Sequence, residues 1–116
     1  STITGISEAI ALAEKSGIQA KVVLDVLADC VAPRHVIDFM LPMAENERFD
    51  QGRGTLKLGH KDLQAVKDSA QDVDLQLPLA TVLLNYLEKA MKEGWQEADL
   101  FALVDMARDE FYADAP

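Results

Sequence analysis

Residues 77–94, which read LPLATVLLNYLEKAMKEG, carry the clearest helical pattern in the chain. Proline at position 78 suits the first turn of a helix, where its missing N–H costs no hydrogen bond, and Gly94 suits the end. The apolar residues between them recur at steps of three and four, which places them on one face: Leu79, Val82, Leu83, Tyr86, Leu87, Ala90 and Met91. The stretch predicts an amphipathic helix.

The N-terminal part of the chain predicts three more helices. The first ends at Gly17 and is apolar almost all round, so we expect it to have neighbours on more than one side. The second has an apolar stripe that ends at Cys30, which predicts a core position for this thiol. Pro33 opens the third, and Pro42 is expected to end or distort it. The three apolar stripes are Ile3, Ile6, Ile10 and Ala13; Val22, Val23, Val26, Leu27 and Cys30; and Val36, Ile37, Met40 and Leu41.

A polar loop divides the chain, and two further helices complete the prediction. Residues 45–54, ENERFDQGRG, contain two glycines and have no apolar period. The helix after this loop has an apolar stripe of Leu56, Leu63, Val66, Ala70 and Val73, and a polar stripe of Lys57, Lys61, Gln64 and Asp68. A last helix closes the chain and has one apolar face, formed by Leu100, Leu103, Val104, Ala107 and Phe111. The fold class is therefore all-α, with about six helices and no convincing strand.

Composition limits the classes of protein to which this chain can belong. Its 116 residues suffice for one domain, residues 1–116, and 49% hydrophobic with 27% charged residues is a globular balance. The net charge of -9 makes nucleic acid or an anionic membrane surface an unfavourable partner, and no apolar run approaches the roughly 18 residues of a membrane span. Cys30, the one cysteine, excludes an internal disulfide and fits a reducing, cytoplasmic location. His35 and His60 are too far apart to suggest a local metal motif, so we expect no metal site.

The charge is unevenly distributed along the sequence. Residues 97–116 carry six acids and one base, Arg108, which gives a net charge of -5. Between positions 53 and 67, four bases face one acid, a net charge of +3: Arg53, Lys57, Lys61 and Lys67 against Asp62. A cationic stretch in an acidic protein indicates either a local anion site or a solvated helix face.

Lys61 is the main candidate for chemistry. It lies near the start of a predicted helix, just after the glycine-bearing loop, where its long side chain can reach into a cleft. An ammonium group there can donate to a phosphate, carboxylate or amide oxygen. Asp62 points elsewhere on the same helix, and we expect it to cap or tie down the backbone of the loop.

Several of these residues, in this order, resemble the C-terminal helical domain of the β-hydroxyacid dehydrogenases. This family includes 3-hydroxyisobutyrate dehydrogenase and tartronate semialdehyde reductase, within the 6-phosphogluconate dehydrogenase superfamily. The most specific element is Lys61-Asp62-Leu63 followed by Leu77-Pro78. The similarity extends over nearly the whole chain through Glu8-Ala9, Lys15-Ser16-Gly17-Ile18, Phe49, Gly52, Gly54-Thr55-Leu56, Leu58-Gly59-His60, Ala70, Leu79, Tyr86, Gly94 and Asp99.

The resemblance implies an enzyme in two parts. An N-terminal Rossmann domain, absent from this chain, would bind NAD or NADP, and the helical domain would close the cleft and support a homodimer. The reaction would be reversible hydride transfer to or from a small 3-hydroxy acid. Lys61 matches the family's second lysine, which reaches the cofactor near its nicotinamide end. The family's catalytic lysine would lie upstream of Ser1, so we assign no catalytic residue to this chain.

Two departures and two alternatives accompany this interpretation. Gln51 and Arg53 stand where many relatives have proline and an apolar residue, which affects the loop and the substrate class. A stand-alone all-α interaction module without catalysis is the first alternative. An independent helical enzyme with Lys61 and His60 as acid and base is the second, although neighbouring helical residues point about 100° apart. The native polypeptide upstream of Ser1 distinguishes these interpretations.

Overall fold

The computed structural model describes residues 1–30, 33–50 and 54–108. Within them the chain forms six α-helices, one π-helical turn and one 3₁₀ turn, as the all-α prediction requires. The α-helices are α1 (Thr2–Lys15), α2 (Ala20–Cys30), α3 (Arg34–Glu45), α4 (Leu56–Asp72), α5 (Pro78–Ala90) and α6 (Leu103–Arg108); the π turn is Met91–Trp95 and the 3₁₀ turn Leu100–Ala102. Gln51, Arg53 and Phe111, together with the acids Asp109, Glu110 and Asp114, lie outside the described residues.

The helices group into two compact units by their contacts, residues 1–52 with 101–116 and residues 53–100. The first unit contains α1, α2, α3 and α6, with α1 packed against both α2 and α6, and α2 against α3. Its core is made of side chains from all four helices and from the segment after α3: Ile6, Ile10, Ala20, Leu24, Ile37, Met40, Met43, Phe49 and Val104. Burial of this apolar cluster holds the first unit together.

Helix α1 ends where the sequence predicts. Gly17 has a φ of +85°, a left-handed conformation that glycine adopts without a Cβ clash. The N–H of Ile18 donates to the carbonyl of Ala13 at 2.9 Å, which satisfies one of the last carbonyls of the helix. The apolar surface of α1 is only partly covered: Ile6 and Ile10 are buried, whereas Leu12 is 71% exposed.

The prediction that Cys30 is a core residue is wrong. The thiol is exposed, and so are Val22 and Val26, which precede it at steps of four on the same face of α2. The buried face of α2 instead contains Ala20 and Leu24. The apolar stripe of this helix is wider than its contact with α1 and α3, so the stripe alone does not identify the buried side.

Two outcomes are predicted for Pro42, an end or a distortion of its helix, and the structure contradicts the first. The helix continues to Glu45, and the N–H of Asn46 donates to the Pro42 carbonyl at 3.0 Å. Proline in a helix removes one backbone donor but keeps a φ compatible with the helix. Met40 and Met43, on either side of Pro42, are buried in the core. Their packing compensates for the lost hydrogen bond in this last turn.

The second unit contains the hairpin of α4 and α5, followed by the π turn. His60 near the start of α4 contacts Glu88 near the end of α5, so the two helices are antiparallel. The buried residues of the pair are Leu56, Ala70, Ala80, Leu84, Leu87 and Ala90. Four residues of the expected apolar stripes are more than half exposed: Val66, Val73, Leu79 and Val82. Here too each stripe is broader than the surface that its neighbour covers.

The ends of the predicted segments agree with the structure in part. Pro78 is the first residue of α5, as expected, and Gly94 adopts a φ of +98° within the π turn that closes this region. The predicted loop begins only after Glu45, where α3 ends. No helix in the described part of the chain is long and apolar enough to cross a membrane.

Candidate functional site

Lys61 lies in the second turn of α4 with its side chain exposed. Within residues 1–30, 33–50 and 54–108 its ammonium group has no salt bridge and no hydrogen bond, so its donors remain available. The motif Lys61-Asp62-Leu63 lies on a regular helix rather than in a loop. A rigid element fixes the direction from which the lysine side chain extends.

The first turn of α4 is anchored by hydrogen bonds from its backbone. The hydroxyl of Thr55, the N-cap, accepts from the N–H of Leu58 at 3.2 Å, and its carbonyl accepts from Gly59 at 3.0 Å. The N–H groups of Leu56 and Lys57 donate to the carbonyls of Ala98 and Gln96, at 2.9 and 3.0 Å. The N–H groups of Leu56, Lys57 and Leu58, which a helix start leaves without an intrahelical partner, are thus satisfied within the chain.

Residues 96–100 act as a brace for this end of α4, and we call them the brace segment. Thr55 and Asp99 form an isolated antiparallel β-bridge, and the N–H of Leu100 donates to the Gly54 carbonyl at 2.9 Å. A Cβ on Gly59 would lie 3.1 Å from Cδ1 of Leu100, so glycine permits this close approach. The brace fixes the start of the helix that carries Lys61.

His60, next to Lys61, is engaged with α5. Its Nε2 lies 3.3 Å from Oε1 of Glu88, and its side chain is only 21% exposed. Consecutive residues of a helix point about 100° apart, so Lys61 extends in a direction about 100° from that of His60, which contacts α5. This arrangement does not bring the two side chains together as an acid and a base.

Two other residues of the predicted site lie in surroundings that the sequence did not indicate. Asp62 is exposed on α4, and Thr55 caps this helix. That Asp62 ties down the loop stays a prediction, since residues 51–53 lie outside the described part of the chain. Phe49 is 1% exposed in the core of the first unit, with the Arg108 guanidinium carbon 5.0 Å from the centre of its ring. A threonine before an apolar helical run is a recognisable cap signal, whereas nothing in the sequence relates Arg108 to Phe49.

Arg108 forms a bidentate ion pair with Glu14 in the first unit, and this pair joins α6 to α1. Its Nη2 and Nε donate to the two carboxylate oxygens at 2.7 and 2.8 Å, and both side chains are about 30% exposed. The hydrogen bond to Glu14 raises the pKa of Arg108 above its ordinary value, against the opposing effect of burial. The pair lines an open groove of about 740 Å³ with Lys21, Glu45 and Glu47.

Metal ligation finds no support in the described residues, which contain no group of three or more His, Cys, Asp or Glu side chains arranged to hold an ion. His35 is exposed near the start of α3. His60 is paired with Glu88 on α5.

Comparison with known proteins identifies the family of this chain. Residues 1–107 match the family described as NAD-binding of NADP-dependent 3-hydroxyisobutyrate dehydrogenase. An uncharacterized oxidoreductase of Bacillus subtilis (strain 168), YfjR, is 26% identical over 104 residues, which are 90% of this chain and 36% of that protein. The crystal structure of 3-hydroxyisobutyrate dehydrogenase (ygbJ) from Salmonella typhimurium superposes with a TM-score of 0.75 at 27% identity, and again 90% of this chain and 36% of that chain are covered.

The fold and the matched sequence define an all-helical domain of the oxidoreductase class. More specifically, the chain belongs to the NAD-binding family of NADP-dependent 3-hydroxyisobutyrate dehydrogenase, and the resemblance found in the sequence is confirmed. The chain spans about a third of the length of these two relatives.

Proposed function

We propose that this chain is the helical C-terminal domain of an NAD(P)-dependent oxidoreductase that acts on a small 3-hydroxy acid, and that Lys61 contacts the coenzyme. The observation that carries the proposal is the family match over residues 1–107, which includes the Lys61 motif on α4. The exposed ammonium of Lys61, with no partner in the described part of the chain, supports it. The nicotinamide, when bound, supplies hydride transfer.

The residues around Lys61 fit a dinucleotide coenzyme. The ammonium can donate up to three hydrogen bonds to carbonyl, hydroxyl or phosphate oxygens. It also adds positive potential where an anionic substrate would approach. The brace segment holds α4 in place, so Lys61 extends from a fixed backbone and only its side chain has to be ordered on binding. Lys61 thus binds and orients, and we assign no proton transfer to it.

The proposal includes a second domain that this chain does not contain. The two relatives are nearly three times as long as the matched region, which supports an N-terminal dinucleotide-binding domain in the parent protein. The helical domain would close the cleft over the coenzyme and support a homodimer. Exposed apolar side chains on α4 and α5, among them Val66 and Val82, are compatible with a covered surface. The isolated chain would then bind NADH or NADPH very weakly.

The test begins with the mass of the native polypeptide in the source cell, by immunoblot with an antibody against this chain. A band well above 12.7 kDa supports the two-domain enzyme. The full-length protein is then assayed with NAD or NADP and 3-hydroxyisobutyrate. The Lys61→Gln variant should raise the KM for the coenzyme about tenfold or more, because a hydrogen bond from a charged donor is lost.

Lys67→Gln is the matched control, because Lys67 lies on the same helix about 120° away from Lys61. It should change the KM for the coenzyme by less than about twofold. A band at 12.7 kDa would instead support the stand-alone interaction module. Submicromolar affinity of the isolated chain for NADH, in a fluorescence titration, would contradict the requirement for a second domain.

A further inference from the structure

Lys57 and Lys61 form a pair of cations on one face of α4. They are four residues apart, which places their Cβ atoms about 5–6 Å from each other. Both side chains are exposed, and the first turn of α4 contains no acidic residue. The partial positive charge at the start of a helix adds to theirs. An acidic protein thus has a locally cationic helical face.

The ammonium group of Lys57 is held only loosely. Its Nζ lies 3.8 Å from Oε1 of Glu97 in the brace segment, and the two side chains are 67% and 73% exposed. Such exposed pairs contribute little to stability, because solvent screens them and both side chains lose freedom. A more highly charged anion can therefore replace Glu97 as the partner of Lys57.

Side chains, not the helix backbone, have to provide the donors on this face. The first four N–H groups of α4 are already bonded to Thr55, Ala98 and Gln96. The acids near this face are Asp62, on another side of the helix, and Glu97 and Asp99 in the brace segment. Glu88 is occupied by His60. Lysine side chains have the length to converge on one ligand between them.

We infer that Lys57 and Lys61 together bind one phosphate-bearing anion, with each ammonium donating to phosphate oxygens. The inference rests on the proposed function because Lys61 belongs to both, and it adds Lys57 as the second cation and Glu97 as the competing partner. The phosphate is that of a dinucleotide or of a free inorganic anion. The chemistry of recognition is the same in both cases.

The experiment titrates the 116-residue chain with inorganic pyrophosphate at constant ionic strength and follows the lysine Hε–Cε signals by NMR. We expect the signals of Lys57 and Lys61 to shift together with one Kd. Lys57→Gln and Lys61→Gln should each raise this Kd about threefold to tenfold, because one of two charged donors is lost. Glu97→Gln should lower it about twofold, because the competing carboxylate is removed.

Lys21 provides the matched control for Lys57. It also lies in the first turn of a helix, α2, and has an exposed carboxylate partner, Glu45, at 3.9 Å. Lys21→Gln should leave the Kd for pyrophosphate unchanged. A second titration, of the full-length protein with NADPH, distinguishes the sources: shifts of the same two lysines assign the site to a dinucleotide, and shifts with pyrophosphate alone assign it to a free anion.

Two results would overturn the inference. An unchanged Kd in Lys57→Gln, with a raised one in Lys61→Gln, would leave a single-cation site and the proposed function intact. An unchanged Kd in both variants would remove the phosphate site. The KM of full-length Lys61→Gln for the coenzyme then decides separately whether Lys61 contacts the coenzyme.

Discussion

Gly59 and Leu100 approach so closely that a Cβ on Gly59 would lie 3.1 Å from Cδ1 of Leu100. In an open helical position, alanine in place of glycine stabilises by about 1 kcal/mol. At Gly59 the leucine has to shift to accommodate the methyl group, which offsets this gain. We therefore expect Gly59→Ala to change the free energy of unfolding by less than about 0.5 kcal/mol, and Gly59→Val to destabilise by about 1–3 kcal/mol, measured by urea denaturation.

Gly5 provides the control for this prediction. It is the fourth residue of α1, as Gly59 is the fourth of α4, and nothing lies within 4 Å of a Cβ placed on it. Gly5→Ala should stabilise the chain by about 0.5–1 kcal/mol. Equal stabilisation by the two alanine substitutions would show that Leu100 does not restrict Gly59.

Replacing Arg108 should destabilise the first unit. Arg108→Ala removes both hydrogen bonds to Glu14 and the packing over Phe49, and it leaves the half-buried Glu14 carboxylate without this partner. We expect a loss of about 2 kcal/mol in the free energy of unfolding. Arg34→Ala is the control, because the Arg34–Asp38 pair is exposed and within one helix; it should cost about 0.5 kcal/mol or less. Equal losses would contradict a special role for the Glu14 pair.

Asp50 should titrate below its ordinary range. Its hydrogen bond from Arg48, 2.8 Å long, is the main cause that lowers the pKa of this carboxyl below 3.8. A lowered folded-state pKa stabilises the folded chain above the unfolded value, and this contribution disappears as the pH falls through the folded pKa. An NMR titration of the Asp50 carboxyl should give a midpoint below 3.8 that rises in Arg48→Gln. An identical midpoint in both proteins would contradict the contact.

Cys30 should react in the folded protein. Because its thiol is exposed at the end of α2, a disulfide reagent such as DTNB should modify it in native buffer without prior unfolding. The urea-unfolded chain gives the reference rate for a fully accessible thiol. If the thiol of the native chain reacted a thousand times more slowly than that of the unfolded chain, Cys30 would be buried, as the sequence pattern predicts.

The number and order of the helices could be predicted because each depends on local signals. Steps of three and four in the apolar pattern, proline at 78 and glycine at 17 act within one or two helical turns. The failure at Pro42 has a different origin, since burial of Met40 and Met43 outweighs a local preference for ending the helix. Local propensity gives way where packing contributes more free energy.

The assignment of Lys61 to a site rests on a short motif and stays a prediction, whereas the surroundings of that motif could not be predicted from the sequence. Lys61 is exposed, and no hydrogen bond or ion pair holds its ammonium group in the described part of the chain. The contact of His60 with Glu88 spans 28 positions, and the ion pair of Arg108 with Glu14 spans 94. No local pattern indicates contacts over such separations.

The all-α class, the family and the cationic face that contains Lys57 and Lys61 follow from the amino-acid sequence, because periodicity and short motifs involve residues that are close together in the chain. Which part of each apolar stripe is buried depends on the packing of the helices. Cys30, Val66 and Val82 lie on stripes that are wider than the neighbouring helix can cover, so they remain in solvent. Burial depends on the neighbour that a face meets, and that neighbour is fixed by contacts between distant parts of the chain.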